Sequence, residues 1–83
     1  MNKIAYQVNV GGRVKYKTNS IRDLMKALDD GRCGKRYKTE WKFTDEDVRY
    51  AIDYDAAFGA GSGEWVWVVN FVGAQGGIWA RYA

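Results

Sequence analysis

Histidine is absent from this chain and cysteine occurs once. One thiol closes no intrachain disulfide, and a structural zinc site built from cysteine and histidine has too few ligands. The Ser-His-Asp and Cys-His nucleophile systems, imidazole acid–base chemistry and the histidine-carboxylate facial triad go with the missing histidines. Proline is absent too, and no repeat, linker or low-complexity segment divides the chain. Long apolar runs are also missing. The most apolar stretch, Trp65 to Ala80, falls short of the roughly 20 residues a membrane span needs and is interrupted by Asn70, Gly73, Gln75, Gly76 and Gly77, so it reads as paired strands. Met1 to Tyr6 lacks an apolar run of signal-peptide length, and polar Gln7 and Asn9 interrupt the hydrophobic residues after it. The expectation is a protein of the reducing cytoplasm with no membrane association.

What is present is 83 residues, enough for one compact domain over 1–83 and too few for two. A domain this small buries only about 60% of the surface that its unfolded chain exposes. With neither disulfide nor metal expected to staple it, packing has to hold it, and aromatic side chains at 16% are its densest source of buried area.

The net charge of +3 hides a division. Residues 1–43 carry eleven basic groups against four acids, a net of +7, whereas residues 44–83 carry two against six, a net of −4. Such asymmetry implies either a charged partner or complementarity between two parts of one domain.

Along the chain, Ile4, Tyr6, Val8 and Val10 alternate with Lys3, Ala5, Gln7 and Asn9, and Val14 and Tyr16 alternate with Arg13, Lys15 and Lys17. Both are half-buried strand patterns. A two-residue Gly11-Gly12 loop would oppose Val8 to Lys15, so parity favours a three-residue loop that pairs Val8 with Val14 and Tyr6 with Tyr16. Ser20, with Asp23 three positions on and Ile21, Leu24, Met25 and Leu28 at helical spacing, begins a helix that Gly31 stops. Asp29 and Asp30 in its last turn oppose the helix dipole and need a cation such as Arg32 or solvent. Tyr37, Thr39, Trp41 and Phe43 alternate with Arg36, Lys38, Glu40 and Lys42, a third strand pattern. Thr44 caps a second helix with Asp45, Glu46 and Asp47 in its first turn and Phe43 and Val48 at staple positions; Asp55 interrupts its apolar stripe, so the helix is expected to fray or end near Tyr54, or else to bury an acid. Gly59, Gly61 and Gly63 mark a flexible loop. The expected fold is α+β: two helices on a mainly antiparallel sheet of about five strands, in the order ββαβαββ.

Chemistry-bearing motifs are sparse. The glycine-rich stretch at 59–63 leads into a strand and lacks the Lys-Ser or Lys-Thr of a phosphate loop. Asp53 and Asp55 are too few ligands for a metal site. Cys33, among Arg32, Lys35 and Arg36, is a candidate for a lowered thiol pKa but has neither a base nor a resolving thiol. No nucleophile, base and electrophilic stabiliser come together, so neither an enzyme nor a cofactor is expected.

Two charged sets and one aromatic set remain. Arg13, Lys15, Lys17, Arg36, Lys38 and Lys42 are expected to project from the open side of the sheet, with Arg32 and Lys35 at its rim, where they could track phosphates or meet an acidic partner. Asp45, Glu46, Asp47, Asp53 and Asp55 could engage a cationic groove. Trp65, Trp67 and Trp79 could offer platforms for bases. Any one tryptophan is expected in the core, but of four in so small a chain at least one should reach a functional surface. No RNP, KH or zinc-knuckle signature is present. The profile is compatible, at the level of a class, with small phage or mobile-element proteins, anti-CRISPR proteins among them, that inhibit host nucleic-acid machinery such as a nuclease or CRISPR-type effector. A docking protein of that kind is the first expectation. Direct binding of single-stranded DNA or RNA, and a structural subunit that forms homodimers or larger oligomers, are the alternatives.

Overall fold

The computed structural model describes residues 3–58 and 65–83. Its six elements are, in chain order, β1 (Ile4–Val10), β2 (Arg13–Thr18), α1 (Ile21–Asp30), α2 (Asp45–Phe58), β3 (Val66–Asn70) and β4 (Gly76–Tyr82). The sheet is antiparallel with strand order β2-β1-β4-β3. The α+β class with two helices holds. The sheet has four strands rather than about five, and the order is ββααββ. The loop around Gly59, Gly61 and Gly63 lies outside the described residues.

The missing strand has a local cause. Residues 37–41 do run antiparallel beside β3: Thr39 bridges Phe71, Glu40 N donates to Asn70 O at 3.0 Å and Val72 N donates to Lys38 O at 2.8 Å. The Thr39 hydroxyl then donates to the Trp41 carbonyl at 2.9 Å, a side-chain bond that bends the chain away before a ladder can extend. At its start the segment is tied to the end of α1, where Tyr37 N donates to Leu28 O at 3.2 Å.

The first hairpin reaches its parity by another route than the expected one. Its loop is the two-residue Gly11-Gly12, with φ of 58° and 82°, the left-handed pair that a type I′ turn requires. Val10 faces Arg13 and Asn9 faces Val14, after which a bulge leaves Lys15 unpaired and sets Val8 opposite Tyr16 and Tyr6 opposite Thr18. One extra residue in β2 thus returns Tyr16 to the face that β1 buries, while Val14, opposite Asn9, stays exposed.

Both helices cover that face. Ser20 caps α1 by accepting from Asp23 N at 3.2 Å, and the N–H of Gly31 closes its far end on Ala27 O. Thr44 and Asp47 cap α2 reciprocally: Asp47 N donates to Thr44 Oγ1 at 3.3 Å and Thr44 N donates to Asp47 Oδ2 at 2.9 Å. Leu24, Ala27 and Leu28 of α1 and Val48 and Ile52 of α2 join Ile4, Tyr6, Val8, Val69, Ile78 and Ala80 of the sheet in one core, closed by Cys33, Phe43 and Phe71. The four tryptophans stand outside it. Tyr6 and aliphatic side chains suffice to fill the space between helices and sheet, and the indoles are left to the periphery.

Candidate functional site

The carboxylates of α2 divide by what they touch. Asp45 accepts the hydroxyl of Tyr6, which is 1% exposed, and Asp53 accepts that of Tyr82 at 2.8 Å. These two bonds latch the helix to β1 and β4. Burial first, and then the adjoining carboxylate, push the Tyr6 phenol well above the ordinary tyrosine range and raise that of Tyr82. Asp47 is held in the cap. Every one of these donors is neutral and brings no compensating charge, and α2 carries Asp45, Glu46, Asp47, Asp53 and Asp55 with the single cation Arg49. Asp53 and Asp55 sit on a helix two positions apart, about 200° around its axis, so they do not converge on one ion. Among the described residues no group of three or more acidic, cysteine or histidine side chains could hold a metal.

The helix continues through Phe58 and does not end near Tyr54. Asp55 is half-buried where a hydrophobic residue was expected, while Ala51, Ala56 and Ala57 favour helix. The added turn completes a feature that the apolar stripe at Val48, Ala51 and Ile52 does not announce. Tyr50, Tyr54 and Phe58 recur every fourth residue and form a ladder, with ring centroids 6.2 and 4.8 Å apart and exposures of 72%, 54% and 77%. The spacing of four in the sequence was the available signal. It was obscured because a helix ending near Tyr54 leaves Phe58 outside it.

The basic residues do not form the expected single sheet face. Arg13, Lys15 and Lys17 lie exposed on β2, one edge of the sheet. Lys38 lies in the segment beside β3, four strand spacings away, on the order of 19 Å. Lys38 and Lys42 line a hollow on the helix side with Met25, Leu28 and Asp29. Arg32 approaches Asp30 at 3.9 Å, an exposed pair of little energetic weight. Lys35 stands 5.6 Å from the Tyr37 ring centre, and Arg36 is exposed between them. Cys33 is 1% exposed, and burial pushes its thiol up, so the basic sequence around it does not make a reactive thiolate.

The sheet's other face holds the indoles. Trp67 and Trp79 oppose each other across β3 and β4, Trp41 meets Trp67 edge-on at 6.1 Å, and the Arg81 guanidinium lies 4.6 Å from the Trp65 ring centre. Of the cations expected on this face, Lys17 belongs to it, opposite Gln7 in the β1–β2 register. Compared with family models, curated proteins and solved structures, the chain matches none. Among the described residues no helix is long and apolar enough to cross a membrane.

Proposed function

We propose that this protein is a non-enzymatic docking domain that engages a cationic protein surface through α2. The observation that carries the reading is the Tyr50, Tyr54 and Phe58 ladder: three large rings in contact with one another and with solvent, on a helix whose opposite side is core. Exposed, contiguous apolar surface of this kind marks interaction sites, and tyrosine is enriched among the residues that dominate binding energy. The acids around the ladder set the partner's sign. A groove with apolar floor and lysine or arginine rims fits them, and proteins that handle nucleic acid present such grooves. A phage- or mobile-element-type inhibitor of a nuclease or CRISPR-type effector is the specific form of this reading, with direct capture of nucleic acid and self-assembly as its competitors.

The test is capture from a bacterial lysate by the full chain and by a Tyr50→Ser/Phe58→Ser variant of unchanged circular dichroism. Loss of a ring at the centre of an interface costs about 2 kcal/mol or more, roughly thirty-fold in affinity. The reading expects a protein retained after nuclease treatment and lost by the variant. Capture that nuclease abolishes, capture indifferent to the two substitutions, or self-association of the dilute protein with no foreign partner would each overturn it.

A further inference from the structure

The outer face of the sheet, opposite the helices and α2 ladder, carries a second and independent feature. A cleft of about 450 Å³ opens there between Trp67 and Trp79, with Asn9, Asn70 and Gln75 around it. Its floor is backbone. Gly77 pairs with both Asn9 and Asn70, and a Cβ at this position would stand 2.3 Å from the Val69 carbonyl oxygen, so close strand approach keeps the floor free of side chains. The polar groups are partly committed in a complementary way. Trp67 Nε1 donates to Asn70 Oδ1 at 3.1 Å, which fixes the indole and leaves the Asn70 amide hydrogens to donate. Asn9 Nδ2 donates to Gln7 Oε1 at 3.1 Å, which leaves Asn9 Oδ1 to accept. Gln75 offers both functions.

Among the described residues, not one that lines the cleft is charged, in a chain where 28% of residues are. That absence selects the ligand class. A phosphodiester backbone needs a track of cations, whereas the cations of this face lie outside the cleft, Lys17 two strands from Trp79 and Arg81 over the Trp65 ring. A pyranose ring asks for what is there: an aromatic face for its axial C–H bonds and planar amides whose donors and acceptors match adjacent hydroxyls, each of which both gives and takes a hydrogen bond. We infer that the Trp67–Trp79 cleft is a binding site for an uncharged hexopyranose unit of a glycan.

The test uses the full chain titrated with cellopentaose, maltopentaose and N-acetylchitopentaose, and with oligo-dT and decaproline as contrasts. Binding is followed by tryptophan fluorescence and by the side-chain amide resonances of Asn9, Asn70 and Gln75. At least one oligosaccharide should give a saturable response with Kd between about 10 μM and 10 mM, as expected of a shallow polar site. Trp79→Ala should weaken it at least about ten-fold, a loss typical of an aromatic anchor. Gln75→Ala, on an exposed turn, should weaken it several-fold and serves as the readout if the tryptophan variant does not fold. Tyr54→Ser, on the far side of the molecule, should leave it unchanged. The inference is overturned if none of the three sugars responds at about 10 mM, if binding survives both cleft substitutions in folded protein, or if oligo-dT or decaproline perturbs these resonances in their place.

Discussion

At Tyr6 the phenol is inside the core while its hydroxyl reaches Asp45, so one side chain serves both the packing of β1 and the anchoring of α2. The carboxylate is at the surface and regains water when the phenol is removed, so Tyr6→Phe should cost about 1.5 kcal/mol, the range of a hydrogen bond to a charged group. Chemical denaturation read by circular dichroism measures it. The same contact dictates how stability depends on alkaline pH. Unfolded tyrosine ionises near its ordinary value of about 10, whereas folded Tyr6 and Tyr82 are held protonated to higher pH. Above about 10 the unfolded chain therefore binds fewer protons than the folded one, and stability, complete below that value, falls as pH rises. A pH series from 8 to about 11.5 should show this decline, and Tyr6→Phe should flatten it. A slope unchanged by the substitution would show that the phenol is not the titrating group. Nothing in the spacing of Tyr6 revealed its bond to Asp45, because the two residues are 39 positions apart. Periodicity identifies which face a side chain takes, not which distant group waits there.

The elements themselves were legible wherever local chemistry decides them. Ser20 with Gly31, and Thr44 with Asp47, delimit helices through bonds made within three or four residues, and the alternation in β1 and β2 and the glycine-interrupted apolar run from Trp65 to Ala80 are local too. What escaped were places where one local rule competes with another. Residues 37–43 alternate like a strand, yet the bond from Thr39 to the Trp41 carbonyl ends the pairing after a single bridge. In the first hairpin, turn chemistry at Gly11-Gly12 and apolar parity demand different registers, and the bulge at Lys15 keeps the turn while half-burying Tyr16 at the expense of Val14. Gly76 and Gly77 read as turn residues but are the first two of β4, inserted between neighbouring strands. Because a Cβ on Gly77 would meet backbone rather than a movable side chain, Gly77→Ala should destabilise by about 2 kcal/mol or more, the scale of an overpacked core site. Thermal unfolding would show it as a lowered Tm. By contrast, Gln75→Ala in the preceding turn should be nearly neutral, and equal losses at both positions would refute the close-approach argument.

On the scale of the whole molecule, the charge division at residues 43 and 44 was plain from the sequence, but its geometry was not. The sheet order sends the cations of β2 to one edge and Lys38 to the other, whereas five of the six acids after residue 43 stay together because one helix carries them. A concentrated field steers association, and a dispersed one does so weakly. Among the acids, Asp45 and Asp53 latch the helix and Asp47 caps it, so substituting them would confound binding with folding. Glu46 and Asp55 have no such duty in the structure's hydrogen bonds and are the positions to change. For a partner recovered through α2, Glu46→Lys with Asp55→Asn should slow association several-fold at low salt, and the difference should shrink towards about 0.5 M salt, where charges more than a few ångströms apart are screened. Lys15→Glu with Lys17→Glu, on the opposite edge of the sheet, should leave the rate within about two-fold, since rim charges act on association mainly where the partner approaches. Stopped-flow mixing at two salt concentrations separates these outcomes. If the β2 pair governs the rate and the α2 pair does not, the partner approaches the sheet edge and the orientation proposed for docking is wrong, even if the aromatic ladder proves necessary for stable binding.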